Sequence, residues 1–168
     1  MTLLQRELHV PRQRASARLR IRRATRADAA RIGRLLHDGR RERDAPTPEP
    51  PLLAQRVREL LADGGTEVLL AGAQPCGLAV LRLRKSLWSP ALQCCLTELY
   101  VQPAHRGHGI GRALLLAAID LARTAGADQI DLGTAETDVA ARALTESLGF
   151  DAHGRPAGPL TLHYERGL

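Results

Sequence analysis

Strands are predicted where apolar and polar residues alternate, or where β-prone residues run between turns. Residues 18–22 alternate strictly, with Leu19 and Ile21 expected to face inward. Further strands are predicted over 67–71, 76–83, 92–101 and 128–133, with a closing hairpin over 150–152 and 160–165. Short turns join the three middle runs, which favours antiparallel hairpins, whereas the run at 128–133 follows a helix and is expected to pair in parallel.

Helices are predicted where apolar residues recur every three or four positions. Thr25 and Asp28 have the spacing of a capping box, so the first helix is expected to begin there and end near Gly39. Its apolar stripe consists of Ala29, Ile32, Leu35 and Leu36. A proline-rich break follows over 40–51, because proline removes a backbone donor. The remaining helices are expected over 52–62, from Ile110 onward, and after Thr137 as a cap.

These elements follow the order β-α-α-β-β-β-α-β-α-β-β, which predicts an α/β fold with a mixed sheet (α+β in type) and helices on both faces. The 168 residues suit a single domain over 18–168, after a basic and loosely ordered tail over 1–17. No apolar run is long enough to span a bilayer, and no apolar leader follows Met1. The three cysteines form neither a disulfide framework nor a metal-ligand pattern, so we expect no metal site and a cytoplasmic protein.

The chain is basic, with a formal net charge of +6 and Lys85 as its only lysine. A basic surface can bind nucleic acid, but the recognition of single-stranded bases also uses aromatic side chains. The aromatic residues are limited to Trp88, Tyr100, Phe150 and Tyr164. Nucleic acid is therefore a disfavoured partner, while an anionic small molecule is compatible with the charge.

Residues 106–111, Arg-Gly-His-Gly-Ile-Gly, form a glycine-rich turn between a predicted strand and a predicted helix. Glycine lets a ligand approach the backbone without interference from a Cβ atom. The first turn of the helix adds N–H groups that have no partner within the helix and carry partial positive charge. The turn therefore predicts a phosphate or pyrophosphate site, which Arg106 and Arg112 flank with guanidinium groups.

Two common nucleotide-binding motifs fail at identifiable positions in this turn. The dinucleotide fingerprint G-x-G-x-x-G begins at Gly107, but its third glycine falls on Arg112. The Walker motif needs lysine and then serine or threonine after its last glycine, whereas Gly111 is followed by arginine. The turn resembles instead the motif of the GNAT superfamily of acyl-CoA-dependent N-acetyltransferases, in which Arg106, Gly109 and Gly111 match the Arg/Gln, Gly and Gly/Ala positions.

A second segment, 138–150, resembles the late helix of that family, which ends in Leu-Gly-Phe. The resemblance extends over about 19–166. It implies a GNAT-like fold and the transfer of an acetyl group from acetyl-CoA to a primary amine of a small molecule or peptide, by direct attack in a ternary complex. It leaves a homodimer open. The residues that it implies for binding acetyl-CoA are Leu99, Tyr100, Val101, Arg106, Gly107, His108, Gly109, Ile110, Gly111, Arg112 and Asp138.

The resemblance also gives roles to parts of the chain. The Val101 N–H is implied as the donor to the thioester oxygen, and the segment that joins the first two helices is implied to help enclose the acceptor. Glu98 is the carboxylate of the central strand and is expected to accept the amine proton. Some relatives carry this carboxylate one residue earlier, at the position of Thr97. A shift of one residue changes the face of a strand unless a bulge intervenes.

The proton for the leaving thiolate is assigned less directly. Many relatives have tyrosine on the late helix where this chain has Thr145, and a threonine hydroxyl titrates too high to match a thiolate. Thr145 is therefore interpreted as a positioning group, with Tyr164 or water as the acid. The alternative interpretation is a catalytically weak acyl-CoA-binding regulatory module that keeps the anion site and lacks the acid.

Overall fold

The computed structural model describes residues 19–152. Its elements in chain order are β1 (Ile21–Arg23), a 3-10 turn (Arg26–Asp28), α1 (Ala29–Glu42), α2 (Pro50–Asp63), β2 (Thr66–Ala71), β3 (Gly77–Lys85), β4 (Leu92–Val101), a 3-10 turn (Pro103–His105), α3 (Ile110–Thr124), β5 (Ala127–Leu132) and α4 (Val139–Glu146). This order agrees with the predicted one as far as the last helix.

The five strands form one sheet in the order β1-β2-β3-β4-β5. Three neighbouring pairs are antiparallel, and β4 pairs with β5 in parallel. The mixed sheet predicted from the connection lengths is therefore confirmed. Of the predicted closing hairpin, residues 150–152 form no strand in the described part of the chain, and residues 160–165 lie outside it.

Each face of the sheet is covered by helices, so the fold has three layers. On one face α3 packs its buried side against the strands, with Leu114, Leu115 and Ala118 fully buried. On the other face α1 and α2 bury Ile32 and Leu35 against the strands. The apolar stripes read from the sequence thus face the sheet, and burial of these side chains is the main stabilising contribution.

α1 begins as expected and ends later than expected. The Thr25 amide donates to Asp28 Oδ2 (2.8 Å), which is half of the capping box. The helix continues through Gly39 to Glu42, so the prediction of a stop near residue 39 is wrong. A Cβ atom at Gly39 would lie 2.9 Å from Tyr100 Cδ2, which indicates that this glycine permits close packing of the helix on β4.

Two local expectations need correction. Leu19 was expected to face inward, but it lies before the first strand and is 40% exposed. Thr137 was expected to cap α4, but the cap is Asp138, whose Oδ1 accepts a hydrogen bond from the Ala141 amide at 2.9 Å. Asp and Thr are both good N-caps, so the sequence did not distinguish these neighbours.

Candidate active site

A β-bulge at Thr97 reorients the second half of β4. Glu98 pairs with Val80 of β3, and Leu96 pairs with Leu81, so Thr97 has no residue opposite it. The Thr97 hydroxyl donates to the Val80 carbonyl oxygen at 3.3 Å. Because the bulge adds one residue, the alternation of faces shifts by one beyond it. Thr97 and Glu98 therefore both face the side of the sheet covered by α1 and α2.

The buried residues of β4 show the same change of face. Before the bulge, Cys94 and Leu96 belong to the core on the α3 side. After it, Leu99 and Val101 pack against that core, while Tyr100 is buried on the α1 and α2 side. The sequence left open whether position 97 or 98 places a carboxylate correctly, and the bulge gives both positions access to one face.

Glu98 lines a cavity of about 400 Å³ between the sheet and the helices α1 and α2. Its carboxylate is partly exposed and forms an ion pair with Arg43, with 3.2 Å between Glu98 Oε2 and Arg43 Nη2. Residue Thr47 of the connection between α1 and α2 lines the same cavity. The other lining residues are Leu36, Arg40, Leu53, Val57, Leu60, Leu61, Thr66, Val68, Val80, Arg82 and Thr97.

Within residues 19–152, no strand pairs with the outer edge of β4 next to this cavity. β5 pairs with β4 only from Leu92 to Leu96, whereas β4 continues to Val101. In an antiparallel pair, residues that hydrogen-bond to the neighbouring strand alternate with residues that do not. The Gln102 amide donates to the Cys76 carbonyl at 2.9 Å, so Gln102 is one of the residues bonded across this pair. By this alternation Leu99 and Val101 direct their backbone groups away from β3. Their amides therefore face the gap between β4 and the end of β5.

The glycine-rich turn follows this open edge. Gly107 and Gly109 have positive φ angles of 75° and 76°, and no atom of the described residues lies within 4 Å of a Cβ built on either one. Gly109 is the N-cap of α3 and offers no side-chain acceptor to the first turn. The amides of Ile110 and Gly111 therefore point out of the helix end with no side-chain cap from the part of the chain that the structure describes. This backbone fits an anionic group.

Arg106 holds the turn in place through three contacts. Its Nε donates to the Val101 carbonyl at 2.9 Å, and its two terminal nitrogens bind the carboxylate of Glu42 at 2.6 and 2.7 Å. The guanidinium also lies over the ring of Tyr100, 5.8 Å from its centroid. The hydrogen bonds from Arg106 lower the pKa of Glu42, so this pair is charged at neutral pH.

The other residues implied for acetyl-CoA binding have identifiable positions. Arg112 Nη1 donates to Ser147 Oγ (2.9 Å) just after α4, and His108 is exposed in the turn. Asp138 caps α4. The Thr145 hydroxyl donates to the Ala141 carbonyl at 2.6 Å, so its proton is used in a hydrogen bond within α4. Tyr164 lies outside the described residues.

Four charged residues near the site were not singled out from the sequence. Arg40, Glu42 and Arg43 belong to one charged run at the end of α1, and Arg82 lies on β3. Composition gives no signal that separates these side chains from a solvated surface. Only the path of α1 across the sheet shows that Arg40 and Arg82 line the cavity and that Arg43 meets Glu98.

The cysteines lie in the strands or next to them, away from these contacts. Cys76 and Cys94 are buried and Cys95 is partly buried, and all three are free thiols. Burial raises the pKa of Cys94 and of Cys95 to about 11. These two thiols are therefore protonated near neutral pH and are poor nucleophiles.

The sequence and the fold were compared with known proteins. Residues 32–150 match the Acetyltransferase (GNAT) family. This chain belongs to the GNAT family. The resemblance inferred from the glycine-rich turn and the Leu-Gly-Phe helix is thereby confirmed, and with it the assignment to the acyltransferases. The GNAT fold is also shared with a crystal structure of a candidate acetyltransferase from Arthrobacter sp. FB24, at 44% identity and a TM-score of 0.81, over 88% of this chain and 95% of that one.

Curated GNAT relatives differ in what they are named for. Aminoglycoside N(6')-acetyltransferase type 1 of Stenotrophomonas maltophilia is 34% identical over 137 residues, which are 78% of this chain and 85% of that protein. Mycothiol acetyltransferase of Beutenbergia cavernae is 33% identical over 89 residues, 51% of this chain. The chain spans 28% of the length of that mycothiol acetyltransferase, and 19% of its counterpart from Thermobispora bispora.

Two further observations concern the described part of this GNAT chain. Within residues 19–152, no helix combines the length and apolar character needed to cross a membrane. In the same range, no three His, Cys, Asp or Glu side chains are grouped so that they could hold a metal ion.

Proposed function

We propose that this protein is an N-acetyltransferase that moves an acetyl group from acetyl-CoA to a primary amine by direct attack in a ternary complex. One observation carries the proposal. Glu98 faces a cavity at the point where the edge of β4 becomes unpaired, and the uncapped end of α3 follows that edge. The arrangement offers an acceptor cavity, a backbone edge and an anion site in succession.

The anion site fits the pyrophosphate of acetyl-CoA. Among residues 19–152, no atom crowds a Cβ position at Gly107 or Gly109, and no side chain caps the amides of Ile110 and Gly111. A phosphate at a helix N-terminus gains from both the N–H groups and the helix dipole. Arg112 would add a guanidinium from the first turn of α3. In this proposal Arg106 acts through the backbone of the turn, because its side chain is engaged by Glu42 and Val101.

Acetyl-CoA supplies the acyl donor, a thioester. Leu99 and Val101 would hold the pantetheine chain along the open edge of β4, and the Val101 N–H would donate to the thioester oxygen. A preorganised donor of this kind contributes a few kcal/mol, typically about 3, to stabilising a developing oxyanion. The Val101 carbonyl is already bonded to Arg106, which fixes the peptide plane after it.

Glu98 would remove the proton that the amine must lose. An alkyl ammonium has a pKa of about 10, so at neutral pH attack on the thioester requires a base. The amine nitrogen then forms a bond to the carbonyl carbon, the carbon–sulfur bond breaks, and the thiolate takes up a proton. Tyr164 or water would supply that proton. Thr145 has a structural role in this scheme, because its hydroxyl is bonded within α4.

The decisive experiment separates cofactor binding from transfer. Thermal shift with acetyl-CoA, CoA and NAD measures binding, and thiol release over a panel of primary amines measures transfer. We expect stabilisation by both CoA forms and none by NAD. Glu98→Gln should retain that stabilisation while kcat/KM falls by about 100-fold or more, the contribution of a general base. Glu59→Gln, on the exposed side of α2, is the matched control and should behave as wild type.

Each alternative predicts a different result. Stabilisation by CoA without transfer to any amine supports the acyl-CoA-binding regulatory module instead. No response to CoA contradicts the assignment of the glycine-rich turn. Initial-rate lines that are parallel, as in a ping-pong reaction, contradict direct attack in a ternary complex, whereas intersecting lines support it.

A further inference from the structure

The cavity that contains Glu98 has a distinctive set of charges. Among the described residues that line it, Glu98 is the acid, and Arg40 and Arg82 are the bases. Arg43 lies next to the cavity and is paired with Glu98. The cavity therefore presents more positive than negative charge, although the proposed substrate is an amine.

Neither lining arginine is neutralised within the described part of the chain. Arg40 Nε donates to the Pro46 carbonyl at 3.2 Å, and Arg82 Nη1 donates to the Thr66 hydroxyl at 3.2 Å. Over residues 19–152, no carboxylate oxygen lies within 4.0 Å of either guanidinium. Both contacts are to neutral oxygens, so neither guanidinium has a counter-charge among the described residues, and each has spare donors for an anion.

The two arginines approach the cavity from opposite layers. Arg40 belongs to α1, and Arg82 lies on β3, on the same face as Val80, which pairs with Glu98. Arg82 and Val80 are two positions apart on β3, which corresponds to about 7 Å along the strand. Glu98, Arg40 and Arg82 thus line one cavity of about 400 Å³.

The remaining lining is mostly apolar. It consists of Leu36, Leu53, Val57, Leu60, Leu61, Val68 and Val80, with the hydroxyls of Thr47, Thr66 and Thr97. A molecule that binds there gains by burying an apolar body. A compound with several ammonium groups would instead meet two unneutralised guanidinium groups and one carboxylate already paired with arginine, which disfavours it.

We propose that the acceptor is a primary amine that also carries a carboxylate on an apolar body, with its amine at Glu98 and its carboxylate at Arg40 and Arg82. This inference rests on the proposed function and specifies the substrate class of that same site. Two kinds of compound have this chemistry: α-amino acids with an apolar side chain, and longer ω-amino acids. They differ in the distance between the amine and the carboxylate.

The test compares acceptors that differ only in the carboxylate, using thiol release at saturating acetyl-CoA. The pairs are 6-aminohexanoate against hexylamine and L-leucine against isopentylamine, with kanamycin as a polyamine. We expect at least one carboxylate-bearing amine to exceed its uncharged counterpart about 10-fold or more in kcat/KM, the worth of a charge-assisted hydrogen bond. The better pair identifies whether the α- or the ω-amino acid fits.

Variants assign the preference to the two arginines. Arg40→Gln and Arg82→Gln should each raise KM for the preferred acid about 10-fold, with little change in KM for its uncharged counterpart. Arg84→Gln is the matched control, because Arg84 lies on the same face of β3 outside the cavity and contacts Gln93. Stabilisation by CoA, measured in parallel, should be the same in all three variants and shows that each is folded.

The possible results distinguish a failure of this inference from a failure of the proposed function on which it rests. Equal transfer to acids and uncharged amines, or a preference for kanamycin, overturns the substrate class and leaves acetyl transfer standing. A preference for the acid that survives both arginine variants overturns the assigned residues. Failure to acetylate any amine overturns the proposed function and this inference together.

Discussion

Arg106 and Glu42 form a two-pronged ion pair that joins the end of α1 to the start of the glycine-rich turn, with nitrogen–oxygen distances of 2.6 and 2.7 Å. The same guanidinium donates to the last carbonyl of β4, at Val101. Three elements thus meet at one side chain. Because α1 also contributes Arg40 to the cavity, the pair links the proposed acceptor site to the proposed acetyl-CoA site.

Removing this pair should affect CoA binding more than stability. Both side chains are partly exposed, so the pair is worth about 1 kcal/mol or less, and Glu42→Gln should lower Tm by no more than about 4 °C. The freed guanidinium no longer fixes the turn, and Kd for CoA should rise several-fold by calorimetry. Asp120→Asn, which alters an exposed pair on α3, is the control. An unchanged Kd would show that the turn is held without Glu42.

Gly109→Ala tests the positive φ angle of the cap of α3. The new Cβ meets no atom of residues 19–152 within 4 Å, so we expect the loss to come from the backbone conformation, which costs an L-residue about 1–2 kcal/mol. We expect a lower Tm and weaker CoA binding. Gly133→Ala is the matched control, because that glycine is equally open and does not have positive φ. Equal behaviour of the two variants would contradict a requirement for glycine at 109.

Gly39→Ala tests the close contact between α1 and β4. The added Cβ would lie 2.9 Å from the ring of Tyr100, and overpacking of this kind costs about 1–3 kcal/mol. The gain in helix propensity from glycine to alanine offsets only about 1 kcal/mol. Thermal denaturation should therefore show a lower Tm than wild type. A raised Tm would mean that α1 is free to shift on the sheet.

Asp28→Asn should destabilise the protein in a pH-dependent way. Hydrogen bonds from Arg22, with those from Thr25, hold the pKa of Asp28 well below its ordinary value. Its charge therefore favours the folded state above the unfolded pKa of about 4, and this contribution is lost as pH falls through the folded pKa. Chemical denaturation at pH 7 should show a loss of about 1–2 kcal/mol, as for a capping residue. The difference from wild type should shrink on going to pH 3; a constant difference would exclude the charge as its source.

Several features of the site could be predicted because they depend on neighbours in the chain. The glycine-rich turn has its two positive φ angles within three residues, and the helix that follows it is amphipathic over its whole length. Glu98 of β4 could be identified from the sequence as the candidate base, but the face of the sheet on which it lies could not be predicted. Pairing with β3 creates the bulge at Thr97, and pairing is a contact between residues far apart in sequence.

The sequence by itself determined the order of elements as far as α4, the mixed sheet, the glycine-rich turn before α3 and the family, because periodicity, caps and glycine positions act over a few residues. The tertiary structure decided which charges lie together: Arg43 pairs with Glu98, Arg106 pairs with Glu42, and Arg40 and Arg82 line the same cavity. Arg40 and Glu42 lie at the end of α1 and Arg43 directly follows it. Arg82 lies on β3, Glu98 lies on β4, and Arg106 follows β4. A run of charges has no preferred partner until packing of α1 on the sheet brings particular side chains within a few ångströms, where their interaction becomes strong.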